Sequence, residues 1–159
     1  MQPPDDFDPP IGVAEPIAPG VRRLVAPNPS PMTYRGTNTY LVGDREIAVI
    51  DPGPDLPAHL EAILAAVGPE ASVSHIIVTH AHVDHSPLSK PLSDRTGAPV
   101  YGFGPAQAGR STIMDTLAAT GVVGGGEGID MAFDPDVPVA DGDHITGDGW
   151  SFEVIHTPG

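Results

Sequence analysis

The 159-residue chain has no cysteine. That absence removes disulfides, thiolate metal sites and cysteine nucleophiles together, so any metal must be held by histidine and carboxylate. Basic residues are scarce as well: 7 Lys and Arg stand against 21 Asp and Glu, a net charge of −14 with neutral histidines. Such a chain repels phosphate backbones, whose binding rests on clustered cations, and nucleic acid is therefore a disfavoured partner. Long apolar runs are missing too. No window reaches the length of a membrane span, and the opening MQPPDDFDPP has acid and proline where a secretory leader needs a basic flank and an apolar stretch. A soluble cytoplasmic protein without a membrane partner is the expectation.

Glycine (19) and proline (20) are abundant, while 40% apolar content argues against a disordered chain. At this length one domain with a modest core is expected. Nine of the first 31 residues are proline. Residues 1–18 therefore read as a Pro-rich extended arm, and residues 19–159 as the domain.

From Thr37 the pattern becomes regular. Thr39-Tyr40-Leu41-Val42 and Ile47-Ala48-Val49-Ile50 flank a short polar turn, which predicts a hairpin ended by Asp51-Pro52-Gly53-Pro54. Leu60, Ile63, Leu64 and Val67 fall at helical spacing, and the β-branched run His75 to Thr79 predicts a strand covered on both faces. A second helix over 87–96, interrupted or started late by Pro91, and a strand at 99–101 complete the order ββαβαβ. Gly102 to Asp136 reads as a mobile surface loop with a short helix over 112–119. Val137 to Ile155 reads as a meander of antiparallel strands.

The chemistry is concentrated in Thr79-His80-Ala81-His82-Val83-Asp84-His85, where three imidazoles and a carboxylate fall within the six positions from 80 to 85. All are donors that suit Zn²⁺ or another borderline divalent ion. At a strand end, alternate residues share a face, so His80 and His82 can chelate one ion. Asp84 and His85, a step further into the turn, can face a second ion about 3.5–4 Å away. Asp51, in an ordinary D-P-G turn, gains interest from its position beside the cluster. His59, His75 and His144 read as ordinary histidines of the fold, and Trp150, Phe152 and Val154 as a core-facing strand pattern.

The H-x-H-x-D-H cluster resembles that of the metallo-β-lactamase-fold hydrolases. Thr37-Asn38-Thr39-Tyr40-Leu41-Val42, Asp51-Pro52-Gly53-Pro54 and His156-Thr157-Pro158-Gly159 agree with it. The likeness is nearest to the bacterial β-lactamase-like protein 2 and glyoxalase II groups, and runs from about Val21 to Gly159. It implies an α/β fold, the N-terminal half of a four-layer αββα sandwich whose other half lies outside the chain. It implies His80 and His82 on a first metal, Asp84 and His85 on a second, and Asp51 behind them orienting ligand imidazoles. Asp84 is also implied as a proton acceptor in catalysis, with His156 near the metals. In the family a third histidine follows the H-T-P-G motif, and a bridging aspartate and a further histidine come later; none lies within the 159 residues. Ser86-Pro87 stands where many members have a glycine pair, as in some relatives of this group.

The function implied is a metal-dependent hydrolase with one or two zinc ions, iron and manganese staying open, in which an activated water attacks an ester, thioester or lactam carbonyl of a small-molecule acyl substrate. Two rivals remain at this stage. One is an endoribonuclease or phosphodiesterase of the same fold. The other is a truncated chain, catalytically inactive, that binds metal or a partner and self-associates through an uncovered sheet face.

Overall fold

The computed structural model describes residues 8–108 and 128–157. Its strands β1 (Glu15–Ala18), β2 (Val21–Val25), β3 (Asn38–Val42), β4 (Glu46–Ile50), β5 (Ser72–Ile77), β6 (Val100–Gly102) and β7 (Val137–Pro138) form one mixed sheet in which spatial order follows chain order. The first four are antiparallel to one another, and β4 to β7 are parallel. Parallel neighbours need crossovers. Helix α1 (Pro57–Val67) supplies the one from β4 to β5, and α2 (Ser89–Thr96) the one from β5 to β6.

Both helices form where the sequence permits them. Pro57 occupies the first helical position, where its missing N–H costs nothing, and Gly68 ends α1 at φ 79°. Pro91 lies in the first turn of α2, where proline is tolerated. Ile63 of α1 and Leu92 of α2 are wholly buried against Ile47, Val49, Ile76 and Val100 of the sheet. Removing either side chain to Ala costs about 2–5 kcal/mol by loss of transfer energy and the cavity left behind.

The other face of the sheet carries the hairpin of β8 (His144–Gly147) and β9 (Trp150–Glu153), a separate two-stranded sheet. Trp150 anchors it, donating Nε1–H to the Glu46 carbonyl at 2.8 Å and meeting His75 edge-on at 4.9 Å. Between hairpin and sheet lies a cavity of about 650 Å³ lined by Ile50, Ile77, Ile145 and Phe152.

The structure differs from the sequence reading at four places. The expected arm joins the sheet before its end: Gly12 donates to Val25 at 3.0 Å, and Glu15 to Ala18 pair with β2, because proline is compatible with an edge strand. Strand β5 is fully covered on one face only, with Ile76 and Val78 buried but His75 and Ile77 half-buried beneath the hairpin. Val137–Pro138 is not part of an antiparallel meander; it pairs parallel with β6. Residues 128–136 of the expected mobile loop are pinned, with Phe133 buried in the core and the Asp136 carboxylate accepting the Val100 N–H at 2.8 Å. The short helix expected over 112–119 lies outside the described residues. Among the described residues no helix is long and apolar enough to cross a membrane.

Candidate metal centre

Two chain turns, each leaving the C-terminal end of a parallel strand, are laced together to make the site. After β4 the chain turns at Asp51, which adopts φ 50°, and its N–H reaches the Ile77 carbonyl of β5 at 2.8 Å. Left-handed φ is uncommon outside glycine, and Asp tolerates it better than most residues. Gly53 donates to the His85 carbonyl at 2.9 Å and accepts from Leu88 at 3.1 Å. After β5, the His85 and Ser86 N–H groups fold back on the His82 carbonyl at 2.9 and 3.0 Å.

The Asp51 carboxylate lies behind the cluster, 7% exposed. It accepts the Thr79 N–H on Oδ1 at 2.8 Å, and on Oδ2 the Thr79 hydroxyl at 2.7 Å and His85 Nδ1–H at 2.9 Å. Since the single hydroxyl proton of Thr79 goes to Asp51, its oxygen accepts from His80 Nδ1 at 2.9 Å. This assignment leaves Nε2 of both His80 and His85 as the lone-pair nitrogen, the form that binds metal.

One oxygen of Asp51 and one ring nitrogen each of His80 and His85 lie within 4.8 Å of one another. Both Asp51 oxygens are already engaged by donors, so Asp51 is better suited to orienting the imidazoles than to holding an ion. The imidazoles pack as a row, His80 lying 4.7 Å from His82 and 4.1 Å from His85 between ring centroids. The division into an 80/82 pair and an 84/85 pair read from the sequence is thus less sharp in space, since His80 is nearer His85. Although His80 is exposed as a whole residue, its ring faces this row. Loss of water there, then the neighbouring His85, holds its pKa below the usual value against an opposing pull from Asp51.

Whether these residues fit a divalent ion can be judged from two contacts. His85 Nε2 faces Asp84 Oδ2 at 3.2 Å, and with the Nδ1 proton given to Asp51 this sets a lone pair against a carboxylate unless a cation lies between them. Two donors that far apart, each about 2.0–2.1 Å from a zinc ion, subtend roughly 100–105° at it, close to tetrahedral. The second contact is a missing one. Asp84 Oδ1 is buried and has no hydrogen-bond partner among the described residues, a costly state for a carboxylate oxygen that a bound cation relieves. The donor set fits.

His156 lies apart from this row. Its ring stacks on Phe103 at 4.0 Å and 11°, and its backbone N–H donates to Asp141 at 2.9 Å, while both rings line the same cavity as His80 and His82. Four supporting residues were given no site role by the sequence reading, although Ser86 stood out as a departure from the family's glycine pair. Thr79 was legible only as the neighbour of His80, and Thr37, whose hydroxyl lies 3.4 Å from Asp84 Oδ2, only as part of a matching stretch. Ser86, wholly buried, has its hydroxyl 2.8 Å from Asp130 Oδ2 and 3.1 Å from the His82 carbonyl. Asp130 also donates its N–H to the Ala81 carbonyl at 2.9 Å, and Val83 to that of Gly128 at 2.9 Å, so the segment after residue 127 is stitched to the histidine loop. Nothing in the sequence marks Asp130.

A mixed sheet packed against helices, with imidazoles and carboxylates gathered where its parallel strands end, defines an α/β domain whose donors suit a divalent metal. The chain belongs to the metallo-beta-lactamase superfamily, whose model matches residues 32–159. An atrochrysone carboxyl ACP thioesterase from Cryptosporiopsis sp. (strain 8999) is 39% identical over 80 residues, covering 49% of this chain and 25% of that protein. A beta-lactamase-like protein 2 homolog from Caenorhabditis elegans is 30% identical over 94 residues, 55% of this chain and 32% of that protein. A beta-lactamase domain protein from Burkholderia ambifaria shares the fold with TM-score 0.67 at 22% identity, covering 94% of this chain and 49% of that one. The chain therefore spans about half or less of the length of these relatives.

Proposed function

We propose that the protein is a metal-dependent hydrolase that cleaves an ester, thioester or lactam, with zinc as its metal and a small acyl compound as substrate. The observation that carries this reading is the 3.2 Å approach of His85 Nε2 to Asp84 Oδ2, next to the lone-pair nitrogen of His80. His80, His82, Asp84 and His85 would hold one or two ions. A divalent ion there supplies Lewis acidity, making water acidic enough to attack near neutral pH and polarising the carbonyl oxygen.

The chain's own residues prepare for that chemistry. Asp51 and Thr79 fix the tautomers and tilt of His80 and His85, and Asp84 Oδ1 offers a desolvated carboxylate oxygen that can take a proton. The largely apolar cavity beside His80 and His82 suits an apolar acyl group. The thioesterase name of one relative favours a thioester among the three bonds. A charge of −14 counts against the phosphodiester alternative.

Metal content after passage over a chelating resin, measured for the wild type and His85→Ala, tests the reading together with hydrolysis of a short acyl thioester. Retention of about one or two equivalents by the wild type and their loss in the variant is the expected result. A wild type that returns metal-free even after incubation with zinc would overturn it.

A further inference from the structure

The buried imidazole of His59, read from the sequence as an ordinary histidine of the fold, touches none of the four proposed metal-holding residues, yet it ends a chain of hydrogen bonds that begins at their support. His59 is 1% exposed on α1. Its Nε2 lies 2.9 Å from Thr39 Oγ1, and Thr39 Oγ1 donates to the Asp51 carbonyl at 2.7 Å. A hydroxyl has one proton, so His59 must be the donor to Thr39, and its Nδ1 then carries the lone pair. That Nδ1 is buried without a partner among the described residues, which suits a lone pair and would strand a proton. The ring is also wedged over the turn: a Cβ on Gly53 would lie 3.1 Å from His59 Cδ2.

Asp51 needs such a hold. Its φ of 50° is left-handed, and its carboxylate must meet Thr79 N–H, Thr79 Oγ1–H and His85 Nδ1–H at once. A residue held in a sparse backbone region persists only where its surroundings fix it. The His59 to Thr39 to Asp51 carbonyl chain fixes the backbone side of the turn, and the Asp51 N–H bond to Ile77 fixes the other.

We infer that His59 is a positioning residue for the metal centre, acting through Thr39 to set the Asp51 turn and hence the aim of the His80 and His85 imidazoles. The claim that these imidazoles hold a metal rests on the proposed function, but the setting of Asp51 does not, and the two can fail separately.

The experiment combines amide hydrogen exchange on the metal-free protein with cobalt titration, for the wild type, His59→Gln, His59→Leu, Thr39→Ser and Thr39→Val. Glutamine places an N–H close to where the imidazole Nε2 sits, and serine keeps the hydroxyl. In Leu and Val variants the Thr79 amide, which bonds Asp51 Oδ1, is expected to exchange about tenfold faster while Ile76 in β5 is unchanged, the weight of roughly one lost hydrogen bond. Cobalt affinity is expected to fall about 10-fold or more in the same two variants, with Gln and Ser near the wild type. Equal Thr79 protection in all folded variants overturns the inference. If Leu and Val chains do not fold, His59→Asn replaces them, since its shorter amide cannot reach Thr39; protection and affinity equal to His59→Gln then overturn it. A wild type that binds no cobalt while Thr79 still responds sinks the proposed function and leaves the positioning role standing.

Discussion

Thr79 grips both oxygens of Asp51, its N–H on Oδ1 at 2.8 Å and its hydroxyl on Oδ2 at 2.7 Å. The same hydroxyl accepts from His80 Nδ1, so one side chain couples the buried carboxylate to an exposed imidazole. Supports of this kind commonly govern metal affinity by 10–100-fold. Thr79→Ala is expected to weaken zinc binding by about that factor, and Thr79→Ser to restore most of it, read by competition with a chelating dye. Equal affinity in Ala and wild type would show that the hydroxyl orients nothing.

Acid stability offers a separate reading of His59. Burial lowers its pKa from 6.5 to about 4. Between those values the unfolded chain binds the proton and the folded one does not, so stability falls as pH drops from about 6.5 to about 4, then levels. The full span is about 3 kcal/mol. His59→Gln does not titrate, so the wild-type advantage over it should shrink by about that amount across the window, measured by urea unfolding at several pH values. A difference that stays flat with pH contradicts a neutral, buried His59.

Ser86 closes the histidine turn onto Asp130. Ser86→Ala should lose about 1 kcal/mol, since Asp130 retains some access to water. Limited proteolysis should then cut the segment after residue 127 faster than in the wild type. Unchanged cutting would mean that the backbone bonds at Val83 and Asp130 hold the segment by themselves.

Trp150 is the only tryptophan, so its emission reports the hairpin directly. A Cβ at Gly147 would fall 2.2 Å from Trp150 Cζ2, too close for the half-buried ring to stay where it is. Gly147→Ala is expected to move the ring off the Glu46 carbonyl, shift emission to the red and cost about 1–3 kcal/mol. Emission and stability like those of the wild type would place the ring elsewhere in solution.

Local signals carried much of this fold. The turn at 43–46 and the apolar runs on either side of it marked β3 and β4, and the spacing of Leu60, Ile63 and Leu64 marked α1, because each pattern is written in adjacent residues. The cluster at 80–85 was legible for the same reason. Asp130 and His59 were not, since their meaning depends on partners 44 and 20 positions away that only folding brings close. Glu15–Ala18 was hidden by the prolines around it, which exclude a helix but leave an edge strand available. The three-imidazole row could be named but not arranged, because ring directions follow the turn geometry and not the spacing alone.

A sheet whose spatial order repeats its chain order has a kinetic consequence. Each strand pairs with the one made just before it, so loop-closure entropy is met in small steps and the sheet can grow from its N-terminal edge as the chain emerges. The donor set has no existence along that route until β5 docks beside β4, when residues 28 and 34 positions apart meet at Asp51. Metal added during refolding should therefore leave the early phases untouched and accelerate or trap only the step at which those two strands join.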